Sequence, residues 1–186
     1  MKYLIFGLGN PGSEYEDTRH NIGFKILDAL VRASNSVYTP VKHGQMAEIK
    51  HKGRILKLYK PNTYMNLSGK CVQYHMQLEK APLDHILIAT DDLALPYGTL
   101  RFRGKGSDGG HNGLKDIQAK IGSKYPRLRF GIGKEFRPGE QVDYVLGKWS
   151  DDELKNFEER IETAGEGIKA FVFGGINDAM NRFNGK

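Results

Sequence analysis

The sequence predicts an α/β protein, a single domain over residues 1–186 built on a twisted, mixed and mostly parallel sheet with helices on both faces. Two patterns predict it. Short β-branched or aromatic runs bounded by turn residues alternate with segments of 3.6-residue apolar periodicity, as in strands joined through helices. Two of the strand-like runs instead have Lys52-Gly53 between them as a short connection, which calls for an antiparallel hairpin in the same sheet.

The elements follow in order. A first strand is expected at 2–6, where Tyr-Leu-Ile-Phe runs into Gly7. A helix over 19–33 is read from Ile22, Ile26, Leu27, Leu30 and Val31. The hairpin gives strands 46–50 and 54–59, and a helix at 68–78 takes Ser68 as its cap and Cys71 as a small buried hydrophobe. The apolar Ile86-Leu-Ile-Ala89 lies in a strand at 85–90, followed by a strand at 99–103, a helix at 112–121 and a strand at 127–132. A helix at 150–165 opens with Ser150 and Glu153 at capping-box spacing. Leu154, Phe157, Ile161, Ala164 and Ile168 form its buried face, and a last helix covers 176–183.

Composition excludes several function classes. The apolar run at the N-terminus reaches Gly7 too soon for a signal peptide, and no run approaches the roughly eighteen apolar residues of a membrane span. The single cysteine, Cys71, rules out an internal disulfide or a thiolate metal cluster and fits a reducing cytoplasm. The six histidines contain no His-x-x-x-His pair, so no metal site on one helix face is expected. The net charge of +6 is concentrated: 101–137 holds ten basic residues against three acids, whereas 140–166 is acidic. Such a patch favours a polyanionic partner, with the acidic stretch facing away from it.

Gly7, Gly9 and Gly12 match the G-x-G-x-x-G spacing of a dinucleotide-binding turn. Pro11 argues against that function, since it lacks an N–H for phosphate and biases Asn10 toward extended geometry. The apolar periodicity also starts only at Ile22, so no helix opens at the turn.

Four polar clusters follow strand ends, where open α/β sheets place ligands. They hold Asn10, Tyr15, His20 and Asn21; Asn62, Tyr64, Met65 and Asn66; Asp91; and His111 with Asn112 in Gly109-Gly-His-Asn-Gly. No serine sits in a nucleophile elbow. The remaining chemistry is water activation by a general base, His20, if Asp91 orients it, with asparagine N–H groups available to an oxyanion. Each residue has a structural alternative: His20 as a packed or capping side chain, Asp91 as a turn residue, Asn66 and Asn112 as helix N-caps, His111 as a loop side chain.

Gly-Leu-Gly-Asn-Pro-Gly with Tyr15 and Arg19-His-Asn-Ile-Gly23, Lys60-Pro-Asn-Thr-Tyr-Met-Asn-Leu-Ser-Gly69, Asp91-Asp-Leu, and Gly109-Gly-His-Asn-Gly-Leu-Lys-Asp-Ile117 closely resemble the bacterial peptidyl-tRNA hydrolases over essentially the whole chain. The resemblance implies a cytoplasmic, usually monomeric esterase, free of metal and cofactor, that cleaves peptide from tRNA. By the same resemblance His20 is the base and Asp91 its orienting acid, Asn10 and Asn66 hold the ester and oxyanion, and Asn112 positions the water and terminal adenosine. Tyr15, Met65 and His111 match the lining of the peptide and acceptor-end crevice, with Tyr64 beside them. Arg101, Arg103 and Arg129 match cations for tRNA phosphates on the acceptor stem and 3′ end. Two departures stand out: many relatives have His where this chain has Thr90 and an acid where it has Ala94. A non-catalytic RNA-binding protein on the same scaffold is the alternative, and retention of the base and its orienter argues against it.

Overall fold

The first strand runs through the centre of the molecule because its side chains are apolar on both faces. In a computed structural model that describes all 186 residues, β1 (Lys2–Gly7) lies between β4 (Arg54–Pro61) and β5 (Ile86–Asp92), parallel to both. β7 (Arg127–Gly131) continues the parallel set beyond β5. β3 (Gly44–His51) pairs antiparallel with β4, and β2 (Thr39–Val41) pairs antiparallel with β3. β6 (Leu100–Arg103) closes the other edge antiparallel to β7. The order is β2-β3-β4-β1-β5-β7-β6, and only β3 and β6 run against the other five strands.

Tyr3 and Ile5 enter the larger core, with side chains from α1 (Ile22–Ala33), α6 (Phe157–Gly174) and α7 (Ile176–Phe183). Leu4 and Phe6 enter a smaller core on the opposite face, against α2 (Gly69–Glu79) and α3 (Asn112–Ile121). This is the period-2 alternation of a strand covered on both faces. All five apolar residues that predict α1 are buried, at about 1.5–3 kcal/mol for each large side chain.

Four expectations need correction. The first turn of the helix expected at 19–33 is a 3₁₀ turn, Arg19–Asn21, and α1 begins at Ile22. The helix expected at 150–165 is two helices, α5 (Asp151–Leu154) and α6, with a turn at Lys155-Asn156 that resets the helical phase. The Ser150–Glu153 capping box forms, but Leu154 falls outside the buried face and is 52% exposed. Nor does α6 stop at Gly165. Gly167, deeper in that helix, is a packing residue, since a Cβ there would lie 2.7 Å from the Phe102 ring. Two further elements, β2 and α4 (Gln141–Val145), are absent from the sequence-based expectation because they are too short to display a period.

Gly7 has a packing function as well. A Cβ on it would meet the Gly23 carbonyl oxygen at 2.3 Å, and one on Gly23 would meet Leu8 N at 2.4 Å. The end of β1 and the first turn of α1 therefore touch backbone to backbone. At the far edge, the Asn184 side chain accepts from Phe102 N at 2.6 Å and donates to Phe102 O at 3.1 Å, so one amide occupies the open rim of β6.

Candidate active site

β1 and β5 are adjacent, and the chain builds outward from them in opposite directions, which makes their carboxyl ends the switch point of the sheet. Asn10 follows β1, and Asp91 lies near the end of β5. Leu87 and Ala89 face the α1 side and Asp91 continues that alternation, whereas Ile88 and then Thr90 belong to the α3 side. Groups from both faces converge there. The Arg19–Asn21 turn brings His20 from one side, and the start of α3 brings His111 from the other.

His20 Nδ1–H donates to Asp91 Oδ2 at 2.8 Å, leaving Nε2 with its lone pair. Backbone N–H groups of Gly113 and Leu114 donate to His111 Nδ1 at 3.1 and 3.3 Å, so His111 rather than Asn112 caps α3. This fixes the His111 tautomer, with its proton on Nε2. That N–H is shared between Thr90 Oγ1 at 2.7 Å and Asp91 Oδ1 at 2.8 Å, and the Thr90 hydroxyl donates to Asp91 Oδ1 at 3.2 Å.

Burial, the largest single influence on Asp91, raises its pKa, but the two histidines outweigh it and hold the carboxyl well below the usual range. For His20, burial is again the largest single influence and disfavours the cation; the Asp91 charge and hydrogen bond together reverse it and raise the pKa above 6.5. One ligand atom from each of His20, Asp91 and His111 lies within 4.8 Å of the others. The donor chemistry does not suit a shared cation, because both histidines direct N–H protons at the carboxylate and His111 Nδ1 is occupied by the helix end.

Asn10 is held on every side. Its N–H donates to Asn21 Oδ1 and its carbonyl accepts from Asn21 Nδ2, both at 2.9 Å, while its own Oδ1 accepts from Met65 N at 2.7 Å. The commitment of Oδ1 leaves the Nδ2 donors free. Met65 is buried beneath it, and Tyr15 and Tyr64 pack edge to face at 6.4 Å, with Tyr64 exposed. Asn66 lies in the 3₁₀ turn Met65–Leu67 and is exposed, as is Asn112. Ser68 precedes α2 as expected, yet its hydroxyl donates back to Met65 O at 2.6 Å instead of capping. Cys71 is fully buried and its thiol pKa is pushed up to about 12 by that burial, as befits an inert hydrophobe.

A cavity of about 300 Å³ holds His20, Asp91, His111 and Asn112, with Phe136, Val142 and Val145 as an apolar wall and Arg129 and Lys134 among its cations. The wall belongs to α4 and its approach, so the start of the stretch expected to face away borders the site. On its other side Tyr144 lies under Arg19, whose guanidinium is 4.1 Å from the ring centroid. Arg19 also donates to Tyr144 O at 3.1 Å and to Glu153 Oε1 at 3.0 Å.

Arg101 and Arg103 are exposed on β6, and Arg101 pairs in register with Arg129. Arg127 departs from the expected patch: it is fully buried, stacked 3.9 Å from the Tyr125 ring centroid and bonded to the carbonyls of Ser107, Ser123 and Tyr125. It ties the glycine-rich loop before His111 to β7. The sequence suggests only a place in the basic segment for Arg127, a departure from relatives for Thr90 and a capping box for Glu153; the bonds to Ser107, His111 and Arg19 that give them their roles cross 20, 21 and 134 residues. Asn21 and its partner Asn10 stand in one cluster of the sequence, but their mutual bonds are not legible there.

The family model described as peptidyl-tRNA hydrolase matches residues 4–186. Proteins named peptidyl-tRNA hydrolase from Phocaeicola vulgatus and Bacteroides fragilis are 58% and 56% identical, each match covering 100% of both chains. The crystal structure of an Arg119Gln mutant of peptidyl-tRNA hydrolase from Acinetobacter baumannii superposes with a TM-score of 0.93 at 38% identity, covering 98% of this chain and 94% of that one. No helix is long and apolar enough to cross a membrane. With sequence and fold matched along almost the full length of these relatives, the chain belongs to the peptidyl-tRNA hydrolase family.

Proposed function

We propose that this enzyme's reaction, hydrolysis of the ester between peptide and tRNA, is carried out by a water molecule that His20 activates. The observation that carries the reading is the 2.8 Å bond from His20 Nδ1–H to Asp91, which leaves Nε2 as the base. Nε2 takes a proton from water as the hydroxide oxygen attacks the ester carbonyl, and Asp91 stabilises the imidazolium. Asn10 Nδ2 and Asn66 donate to the oxyanion, and Asn112 orients the water and the terminal adenosine. Collapse of the tetrahedral intermediate breaks the bond to the ribose oxygen, which takes the proton back from His20. The products are a peptide acid and tRNA with a free ribose hydroxyl. A positioned base supplies about 10²–10⁴-fold and each oxyanion donor about 10²–10³-fold.

Tyr15, Tyr64, Met65 and His111 border the substrate crevice, and Arg101, Arg103 and Arg129 contact phosphates of the acceptor stem and 3′ end. Such contacts are independent of sequence and weaken with salt, which suits an enzyme that serves many tRNAs. The protein acts as a cytoplasmic monomer in which residues 1–186 form one domain. Free aminoacyl-tRNA is spared because its charged amine is poorly accommodated. Purified protein with no added metal should release the blocked amino acid from N-acetyl-aminoacyl-tRNA faster than it attacks the unblocked substrate. His20→Ala should abolish turnover and keep tRNA binding. Binding without cleavage by the unmutated chain would refute the assignment.

A further inference from the structure

We propose that Thr90 is a positioning residue for the hydrolysis, setting through its hydroxyl how strongly Asp91 holds the imidazolium form of His20. The inference rests on the reading of His20 as the base. Thr90 is fully buried, and a hydroxyl at such a position is unfavourable unless it is bonded. Here it is bonded in both directions, accepting from His111 Nε2–H at 2.7 Å and donating to Asp91 Oδ1 at 3.2 Å. Asp91 therefore has three donors, His20 on Oδ2 and His111 with Thr90 on Oδ1.

The His111 donor is already committed. The N-terminus of α3 occupies Nδ1 and leaves the ring one proton, now shared between Thr90 Oγ1 and Asp91 Oδ1; without Thr90 that proton turns wholly to Asp91, but no second one replaces the lost hydroxyl. Replacing the hydroxyl with a methyl takes Asp91 from three donors to two. A carboxylate with fewer donors keeps more of its charge for the remaining partner, so the His20 cation is favoured and its titration moves upward. The other charged groups around the site stay in place: Asp92 with Arg129 at 3.6 Å, Asp108 and Lys134 on the cavity wall, and Arg19 turned toward Glu153. The alternation of β5 supplies the arrangement, because it places Thr90 and Asp91 on opposite faces and lets the hydroxyl reach the carboxylate from the α3 side.

The test is the His20 titration midpoint, read from its ring resonances by NMR and, separately, from the acid limb of kcat/KM on N-acetyl-aminoacyl-tRNA. Thr90→Val should raise both by about half a pH unit, so that activity near pH 6.5 falls about threefold and converges with the unmutated enzyme in alkali. Thr90→Ser, which restores the hydroxyl, should titrate like the unmutated protein. Thr90→Ala gives the same upward shift and carries the test if the valine variant does not fold. An unmoved or lowered midpoint without the hydroxyl, or a serine variant shifted as far as valine, would overturn the proposal. The resonance titration needs no turnover, so failure of the hydrolase reading would appear separately, as absence of cleavage by the unmutated chain.

Discussion

Breaking the Arg19–Glu153 pair should loosen the turn that carries His20. The two side chains meet at 3.0 Å, and each is only 12% exposed. Exposed pairs contribute about 0–1 kcal/mol, whereas losing one partner of a buried pair is destabilising by about 3–5 kcal/mol. At this exposure each single change should cost about 2 kcal/mol. Glu153→Gln keeps an acceptor for Ser150 N, and Arg19→Met keeps a stem over Tyr144 but also gives up the bond to Tyr144 O, a loss that the double variant shares and the cycle subtracts. Urea unfolding of the two single variants and the double variant closes the cycle. The double variant should fall short of the summed losses by at least about 1 kcal/mol. Because Arg19 adjoins His20 and stacks over Tyr144 of α4, kcat/KM should fall about tenfold in each single variant, with little further loss in the double. Strict additivity within about 0.3 kcal/mol would refute the view that the pair acts as one clamp.

Four further outcomes concern the site and one the basic residues of β6. On the proposed mechanism, in which neutral His20 is the base, the acid limb of kcat/KM should have its midpoint above pH 6.5, since Asp91 raises the His20 pKa; Asp91→Asn should lower kcat by about 10²–10⁴-fold by removing the tautomer's anchor. The linked stability contribution of His20 is complete below about pH 6.5 and disappears as pH rises through its higher folded value; a pH series of urea midpoints, with His20→Asn as reference, checks the sign. Asn21→Ala should leave both backbone groups of Asn10 unpaired and cost about 1–3 kcal/mol, with a fall in kcat larger than any rise in KM. Replacing Arg101 or Arg103 with Gln should reduce the salt dependence of tRNA binding by about one unit of slope for each phosphate no longer neutralised, leaving cleavage at saturation unchanged.

The fold was legible where period and punctuation were strong. β1 and α1 announce themselves by apolar content and spacing, and the hairpin by Lys52-Gly53. The break at Lys155-Asn156 was not legible, because Leu154 fits the spacing of its neighbours and only the packing of Phe157 decides the phase. At the site, His20, Asp91, Asn10 and His111 are conspicuous as reactive side chains at or near strand ends; the structure brings His20, Asp91 and His111 into contact, with Asp91 inside β5 rather than after it, and bonds Asn10 to Asn21 and Met65 instead. The supporting groups were not found. Thr90 stands out in the sequence only as a departure from the histidine of many relatives; its bond to His111, about twenty residues away, is not legible there. A basic residue counts equally toward a charged segment whether it faces solvent, as Arg103 does, or is enclosed by carbonyls, as Arg127 is.

The amide of Asn184 on the rim of β6 bears on how the protein behaves when concentrated. An unpaired strand edge is a template on which a second chain can continue the sheet. At β6 the template is already taken, since Phe102 spends both backbone groups on Asn184. At the opposite rim, β2 is three residues long and has Pro40, with no N–H, at its centre. Neither end of the sheet invites another strand, so its width is set within the molecule, and crowding alone gives it no route to growing into a ladder.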